Sequence, residues 1–254
     1  MLMRSRQMRG FILLCILGVV TLVTSGCGSY YTHSFKTDVA NAGALKILSL
    51  APIEVPSELP QADKAKLFFH AAISEKLTSA GFQVIGQEVF AQKMADVIRE
   101  KGGAYDPVTG KRDEKKFWEL QQACLKKVQA ATGAKALLRV RVIPVTVPFS
   151  GCSTKWDGAT QNVSTTFLGI FCSSAGMYGK IGALSLLITL EDIDGKVLYF
   201  NGGGIQLGAL HVNRFPFGAF QSVPADQLLG DEMRNRTAVD LSLGPLLSGG
   251  AGRP

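Results

Sequence analysis

Apolar and polar positions change rhythm several times along this chain, and the changes mark out its elements. The run from Phe11 to Val23 is apolar without any period, broken only by Gly18 and Thr21. Further on, "ALKILSLAPIEVP" is a short apolar run closed by Pro52 and Pro56, the pattern of a central strand buried on both faces. In "ADKAKLFFHAAISEKLTSAG" the spacing predicts a helix. Asp63 stands where a cap is wanted, Leu67, Ala71, Ile73, Leu77 and Ala80 form an apolar face, and Gly81 suits a left-handed stop. "FQVIG" reads as a second strand, and Val89 or Phe90, with Met94, Val97 and Ile98, mark a second helix ending at Gly102-Gly103.

After the turn-rich "GGAYDPVTGKRD", the positions Phe117, Leu120, Cys124, Val128 and Ala131 step by three and four along a third helix that stops at Gly133. The clearest strand is "AKALLRVRVIPVTVPF". There Leu138, Val140 and Val142 alternate with Arg139 and Arg141, which predicts one core face and one polar face. Strand, helix, strand, helices, strand is the βαβ rhythm and implies parallel pairing. The second half differs: "ALSLLITLEDIDGKVLYFNGGGIQL" predicts two strands joined at Asp192-Ile193-Asp194-Gly195 as an antiparallel hairpin. The expected class is therefore α/β, a mixed sheet with a parallel βαβ first half, an antiparallel hairpin in the second half, and helices packed on it. An amphipathic helix from Ala225 to about Leu243 and the Gly/Pro-rich "GPLLSGGAGRP" close the chain.

The Phe11–Val23 run is 13 residues long, well short of the about 20 that cross a bilayer as a helix. Arg4, Arg6 and Arg9 precede it and no acidic residue occurs before Asp38. A basic start, a short apolar core and a small-residue exit define a secretory signal. The exit, Thr24-Ser25-Gly26-Cys27, resembles the lipobox of bacterial lipoproteins, with Thr24 where that motif has Leu. The resemblance implies cleavage before Cys27, a diacylglycerol on its thiol and an acyl chain (such as palmitate) on its new amino group. Gly28 after the cysteine implies delivery to the outer membrane. Two or more chains make attachment stable, where one gives marginal binding. Residues 1–26 are thus expected to be a signal peptide and 27–43 a lipidated tether. An α/β domain is expected over 44–222, followed by a C-terminal helix and tail over 223–254.

Without residues 1–26 the chain has 24 Lys+Arg and 20 Asp+Glu, a net charge of +4. The cations are spread, and "KRDEKK" at Lys111–Lys116 carries its own acids. No clustered basic face for nucleic acid is indicated. Of the five cysteines, Cys15 leaves with the signal and Cys27 is taken by lipid. Cys124 falls on the apolar face of its helix as a small hydrophobe. Cys152 and Cys172 lie 20 positions apart in a Gly/Ser/Thr-rich connection. In an oxidising periplasm they are expected to pair, and closing such a loop contributes about 3 kcal/mol in the chain-entropy model.

No motif for catalysis or cofactor binding emerges. "DIDG" lacks the third oxygen ligand and the distant Glu of a calcium loop, and Lys196 and a strand follow it. "NGGG" at Asn201–Gly204 leads into Ile205-Gln206-Leu207, a strand rather than the helix a phosphate loop requires. Its glycines suit a bulge or a close backbone approach. His33, His70 and His211 stand in unrelated segments without metal-ligand spacing, and no G-x-S-x-G occurs. No catalytic residue, metal ligand or cofactor is expected.

The order "LKILSLAPIEVP", helix, "GFQVIG", helices, "GAKALLRVRV" and "LEDIDGKVLYFNGG" resembles the small α/β domain of the curli-secretion channel CsgG and the TolB amino-terminal domain. It spans about Leu45 to Leu207, and the loop with Cys152 and Cys172 departs from it. The resemblance implies no catalysis, but binding to other envelope proteins, oligomerisation, secretion or assembly. The leading expectation is a membrane-anchored interaction and assembly module on the periplasmic face of the outer membrane, serving an envelope or secretion complex. A CsgG-like secretion-pore subunit, with inserting hairpins from Ser150 to Gly182, is the alternative. An envelope hydrolase or ligand-binding enzyme is a further one.

Overall fold

A computed structural model describes residues 30–31, 45–164, 178–212 and 218–248. The first half of the main sheet contains β1 (Tyr30–Tyr31), β2 (Ile47–Leu50), β3 (Gln83–Ile85) and β4 (Ala136–Ser150). Its helices are α1 (Ala62–Ser79), α2 (Gln87–Lys101) and α3 (Glu114–Thr132). Then come β5 (Ser153–Trp156), β6 (Ala159–Asn162), β7 (Tyr178–Asp192) and β8 (Val197–Leu207). A separate ribbon of β9 (Ala209–Val212) and β10 (Ala219–Ser222) and a final helix, α4 (Glu232–Leu247), complete the fold. Among the described residues the architecture is a mixed α/β sheet with four helices packed on it.

The sheet is organised by β4. Along one edge it pairs with β7 through the whole register from Ala136↔Asp192 to Ser150↔Tyr178, antiparallel. Along its other edge, β2 pairs in parallel with its first residues and β5 pairs antiparallel with its last. β3 extends β2 in parallel and β8 extends β7 antiparallel. The amide of Val142 donates to Glu54 and the carbonyl of Val140 accepts from Glu54, so even-numbered amides of β4 point toward the β2 edge. Pro144 and Pro148 are even-numbered and fall between the two partners on that edge, where a missing N–H costs no ladder bond.

The helices cover both faces. Leu48, Leu50, Leu138, Val140, Leu186 and Ile188 meet Phe69, Ile73 and Leu77 of α1 and Ala238, Val239 and Leu243 of α4. On the other face Leu137 and Ala51 meet Phe90 and Val97 of α2 and Leu120, Cys124 and Val128 of α3. Arg139, expected on a polar face, is instead nearly enclosed, because α3 covers the start of β4. Its guanidinium reaches Glu191 on β7 at 3.0 Å and Gln121 on α3 at 2.5 Å. A third cluster holds the far end of the β4–β7 pair, with Val145, Val147, Phe149, Ile181 and Ala183 around Trp156.

Several local expectations need correction. In α1 the buried face is Ala65, Phe69, Ala72, Ile73 and Leu77, while Leu67 is 71% exposed. Apolar residues run nearly all round this helix, so spacing alone could not fix its phase. Asp63 lies inside the first turn, where it pairs with Lys66. The last helix starts at Glu232, not Ala225. Asp231 caps it by accepting from the amides of Met233 and Arg234, and residues 225–227 form a separate 3-10 turn. The connection after β4 contains the β5–β6 hairpin. Asp157 (φ 43°) and Gly158 (φ 78°) are its two turn residues, the positive-φ pair a two-residue hairpin demands.

Candidate functional site

The groups with chemical potential can be followed one by one into the structure. The glycines of "NGGG" lie in β8 where other parts of the chain press on it. A Cβ on Gly203 would sit 2.0 Å from the Ala238 carbonyl oxygen of α4. One on Gly202 would sit 2.7 Å from the Asp157 carboxyl carbon, and one on Gly204 would sit 2.8 Å from the Trp156 ring. These are close approaches, with a register shift beside Ser185. Asp192 ends β7, and its carboxylate accepts from the amides of Asp194 and Lys196, closing the β7–β8 turn.

Asp157 is 2% exposed, and its carboxylate accepts from the Ser185 hydroxyl at 2.6 Å. Its backbone carbonyl accepts from the Gly204 amide at 3.1 Å. The Trp156 indole N–H donates to the Leu184 carbonyl at 3.4 Å. The β5–β6 hairpin is thereby pinned across β7 and β8. Gln161 of β6 continues the clamp, donating to the Ile205 carbonyl at 2.7 Å and accepting from the Leu207 amide.

Cys124 is fully buried, 3.6 Å from the Phe90 carbonyl. Burial pushes its thiol up to about 11, against the weaker opposing pull of Arg139 and Lys127. Such a thiol is inert. His70 lies on α1, and His211 packs edge-on against Phe220 at 5.3 Å. Among the described residues no three His, Cys, Asp or Glu side chains assemble a metal site, and no helix is long and apolar enough to cross a membrane.

An open cleft of about 810 Å³ runs between β6 and the start of α4. Its lining includes Gln161, Asn162, Ile205, Met233 and Arg234. Gln161 is committed to β8, and Arg234 pairs with Asp231 at 3.0 Å and reaches Gln161 at 3.4 Å. The cleft is a seam between elements rather than a set of convergent reactive groups.

The envelope-directed residues divide differently. Cys27, Cys172 and His33 lie outside the described residues. Cys152 is described and is disulfide-bonded. Three residues past Cys27, Tyr30 and Tyr31 pair in parallel with Lys155 and Trp156 of β5. The tether reading of 27–43 missed this short strand. Two adjacent tyrosines, good strand formers, were its only signal.

No family model matches the chain, and no curated protein matches it. Among solved structures, it is similar to a single-substitution variant of the PelC dodecamer from Paraburkholderia phytofirmans (space group C2). That match has 10% identity and a TM-score of 0.32, covering 79% of this chain and 88% of that one. It is likewise similar to the PelC dodecamer from the same organism in space group P6, with 11% identity and a TM-score of 0.33, covering 80% and 87%. Likeness at this level assigns this chain neither a fold nor a function.

Proposed function

We propose that the protein is an outer-membrane lipoprotein, anchored through Cys27, whose α/β domain acts as a periplasmic interaction and assembly module for an envelope or secretion complex. The observation that carries this reading is the segment "VTSGCGSYY": a signal exit ending in Cys27, followed at once by residues that join the sheet at β5. The domain would work through its surfaces, since its polar clusters (Arg139 with Glu191, Asp157 with Ser185) hold strands and helices together.

The disulfide at Cys152 bears on the same reading. Cys124 is free, so the partner is Cys15, Cys27 or Cys172. One thiol cannot be both a thioether and half of a disulfide. If Cys27 is acylated and Cys15 leaves with the signal, Cys172 alone remains.

Intact mass and membrane partition test the proposal, for the wild type and Cys27→Ala expressed in a bacterium with an outer membrane. The expected result is a mature mass starting at Cys27 with a diacylglycerol and an acyl chain. That addition and the membrane fraction should both be lost in the variant. A soluble, unacylated mature protein, or one retaining residues 4–26, would overturn it. Sedimentation of the detergent-solubilised protein then separates a monomer or small oligomer, expected of a module, from the large ring expected of a pore subunit.

A further inference from the structure

One end of the sheet gathers features that the packing of the domain does not require. β1 runs parallel to β5, with Tyr30 opposite Lys155 and Tyr31 opposite Trp156. Of the two tyrosines, Tyr30 is therefore the nearer to the side where β5 begins, the end of the sheet formed by the β4–β5 turn at Gly151 and Cys152. Three peptide steps separate Cys27 from Tyr30, a reach of at most about 11 Å.

Two large aromatic residues are exposed at this same end. Tyr178 opens β7 opposite Ser150 and is 85% exposed. Phe220 of β10 leans on Phe149 with ring centroids 5.3 Å apart and remains 43% exposed. Between 143–156, 178–183, 209–212 and 219–222 there is no Asp or Glu, whereas Lys155 and Lys180 are present and exposed. Exposed aromatics with a polar or apolar edge and lysines without acids form the composition that settles at a phospholipid headgroup layer.

We propose that this end of the domain faces the bilayer and rests on it, with Tyr178 and Phe220 in the interfacial layer and Lys155 and Lys180 toward the lipid phosphates. The inference rests on acylation of Cys27, since the acyl chains and the short reach to Tyr30 bring this end down to the membrane. The α2–α3 end then points away into the periplasm. Its cluster is built round Leu137, which lies along β4 from Phe149 by about 40 Å at the rise of an extended strand. Partner-binding surfaces of the module are expected at that distal end.

The test uses the full-length lipoprotein in vesicles of phosphatidylethanolamine and phosphatidylglycerol, with and without chain-brominated phosphatidylcholine, which quenches nearby indoles. In a Trp118→Phe background, whose Trp156 emission is measured in the same vesicles and subtracted, Tyr178→Trp is compared with Val108→Trp. Both positions are strongly exposed, so neither change disturbs the core, and Val108 belongs to the α2–α3 connection. The expected result is loss of most of the added emission for Tyr178→Trp and none for Val108→Trp. Equal quenching of the two, or stronger quenching at Val108→Trp, overturns the orientation. Mass measured on the same samples keeps the two proposals apart. An unacylated Cys27 sinks the anchor and this inference with it, whereas an acylated protein quenched at the wrong end sinks the orientation alone.

Discussion

Replacing Gly203 by alanine should separate α4 from the sheet. Gly203 lies in β8 opposite Leu186, and an added Cβ would sit 2.0 Å from the Ala238 carbonyl oxygen and 2.8 Å from its carbon. A carbon and a carbonyl oxygen approach to about 3.3 Å at closest, so α4 would have to retreat by more than about 1 Å. The helix cannot retreat freely. Ala238, Val239, Leu243 and Leu246 are all buried in the main core, and packed interiors transmit such strain rather than absorb it.

Two hydrogen bonds would stretch as well. Tyr199 donates to the Ser242 carbonyl at 2.5 Å, and Asn201 donates to the Leu241 carbonyl at 2.9 Å. Overpacking costs about 1–3 kcal/mol, and an obstacle made of backbone puts this site at the upper end, about 3 kcal/mol. For a domain of this size each kcal/mol lowers Tm by about 2–4 °C. Gly182→Ala is the control, because Gly182 is exposed and nothing lies within 4 Å of its added Cβ. It should be neutral or stabilising by about 0.5 kcal/mol. Thermal and urea unfolding check both. A Gly203→Ala protein that melts with the wild type, or a Gly182→Ala protein that falls as far, would refute the packing argument.

Other outcomes follow from the same contacts. Glu191→Leu leaves the largely buried Arg139 without its 3.0 Å carboxylate partner and should cost about 3 kcal/mol, while Arg139→Met with Glu191→Leu should recover most of that in a urea double-mutant cycle. Cys124 in the folded protein should resist iodoacetamide at pH 8 and label only on unfolding. Because its folded value lies near 11 against an ordinary 9.0, the unfolded chain loses the proton first. Its contribution to stability is therefore whole below about pH 9 and falls away up to about pH 11, and Cys124→Ala should flatten that alkaline limb of the stability curve. A non-reducing peptide map should join the Cys152 and Cys172 peptides, whereas a Cys152–Cys27 link would sink both the pairing and the lipid anchor.

How much of this was legible in the sequence depended on whether a segment's partner was local. β2, β3, α2, α3 and the β7–β8 hairpin follow from periods and turn residues inside each segment, and their pairing follows from the βαβ rhythm. The close-approach reading of Gly202–Gly204 was legible for the same reason, since a strand continues after them. The β5–β6 hairpin announced itself only through Asp157-Gly158 between "STKW" and "ATQN", strands of four residues amid glycines and serines. The enclosure of Arg139 was not legible. Alternation marks it as facing away from Leu138, but only α3, folded over β4, supplies Gln121 and shuts out water. The exposure of Tyr178 and Phe220 is silent in the sequence too, because their surroundings read simply as strand.

The β5–β6 hairpin links these pieces into one mechanical argument. β5 gives one edge to β6 and shares the other between β4, at Ser153 and Thr154, and β1, at Lys155 and Trp156, and the Asp157 carboxylate at its turn is held by Ser185 of β7. A Cβ added to Gly158 would meet the Leu241 side chain of α4 at 2.9 Å, so the same turn also abuts the C-terminal helix. A pull applied at Tyr30, where a tether from Cys27 would enter, is delivered to β4, β7 and α4 together, not to a loose terminus. A buried carboxylate is costly unless it is hydrogen-bonded; Ser185 supplies that bond, so the contact that satisfies Asp157 is the same one that ties the hairpin to β7.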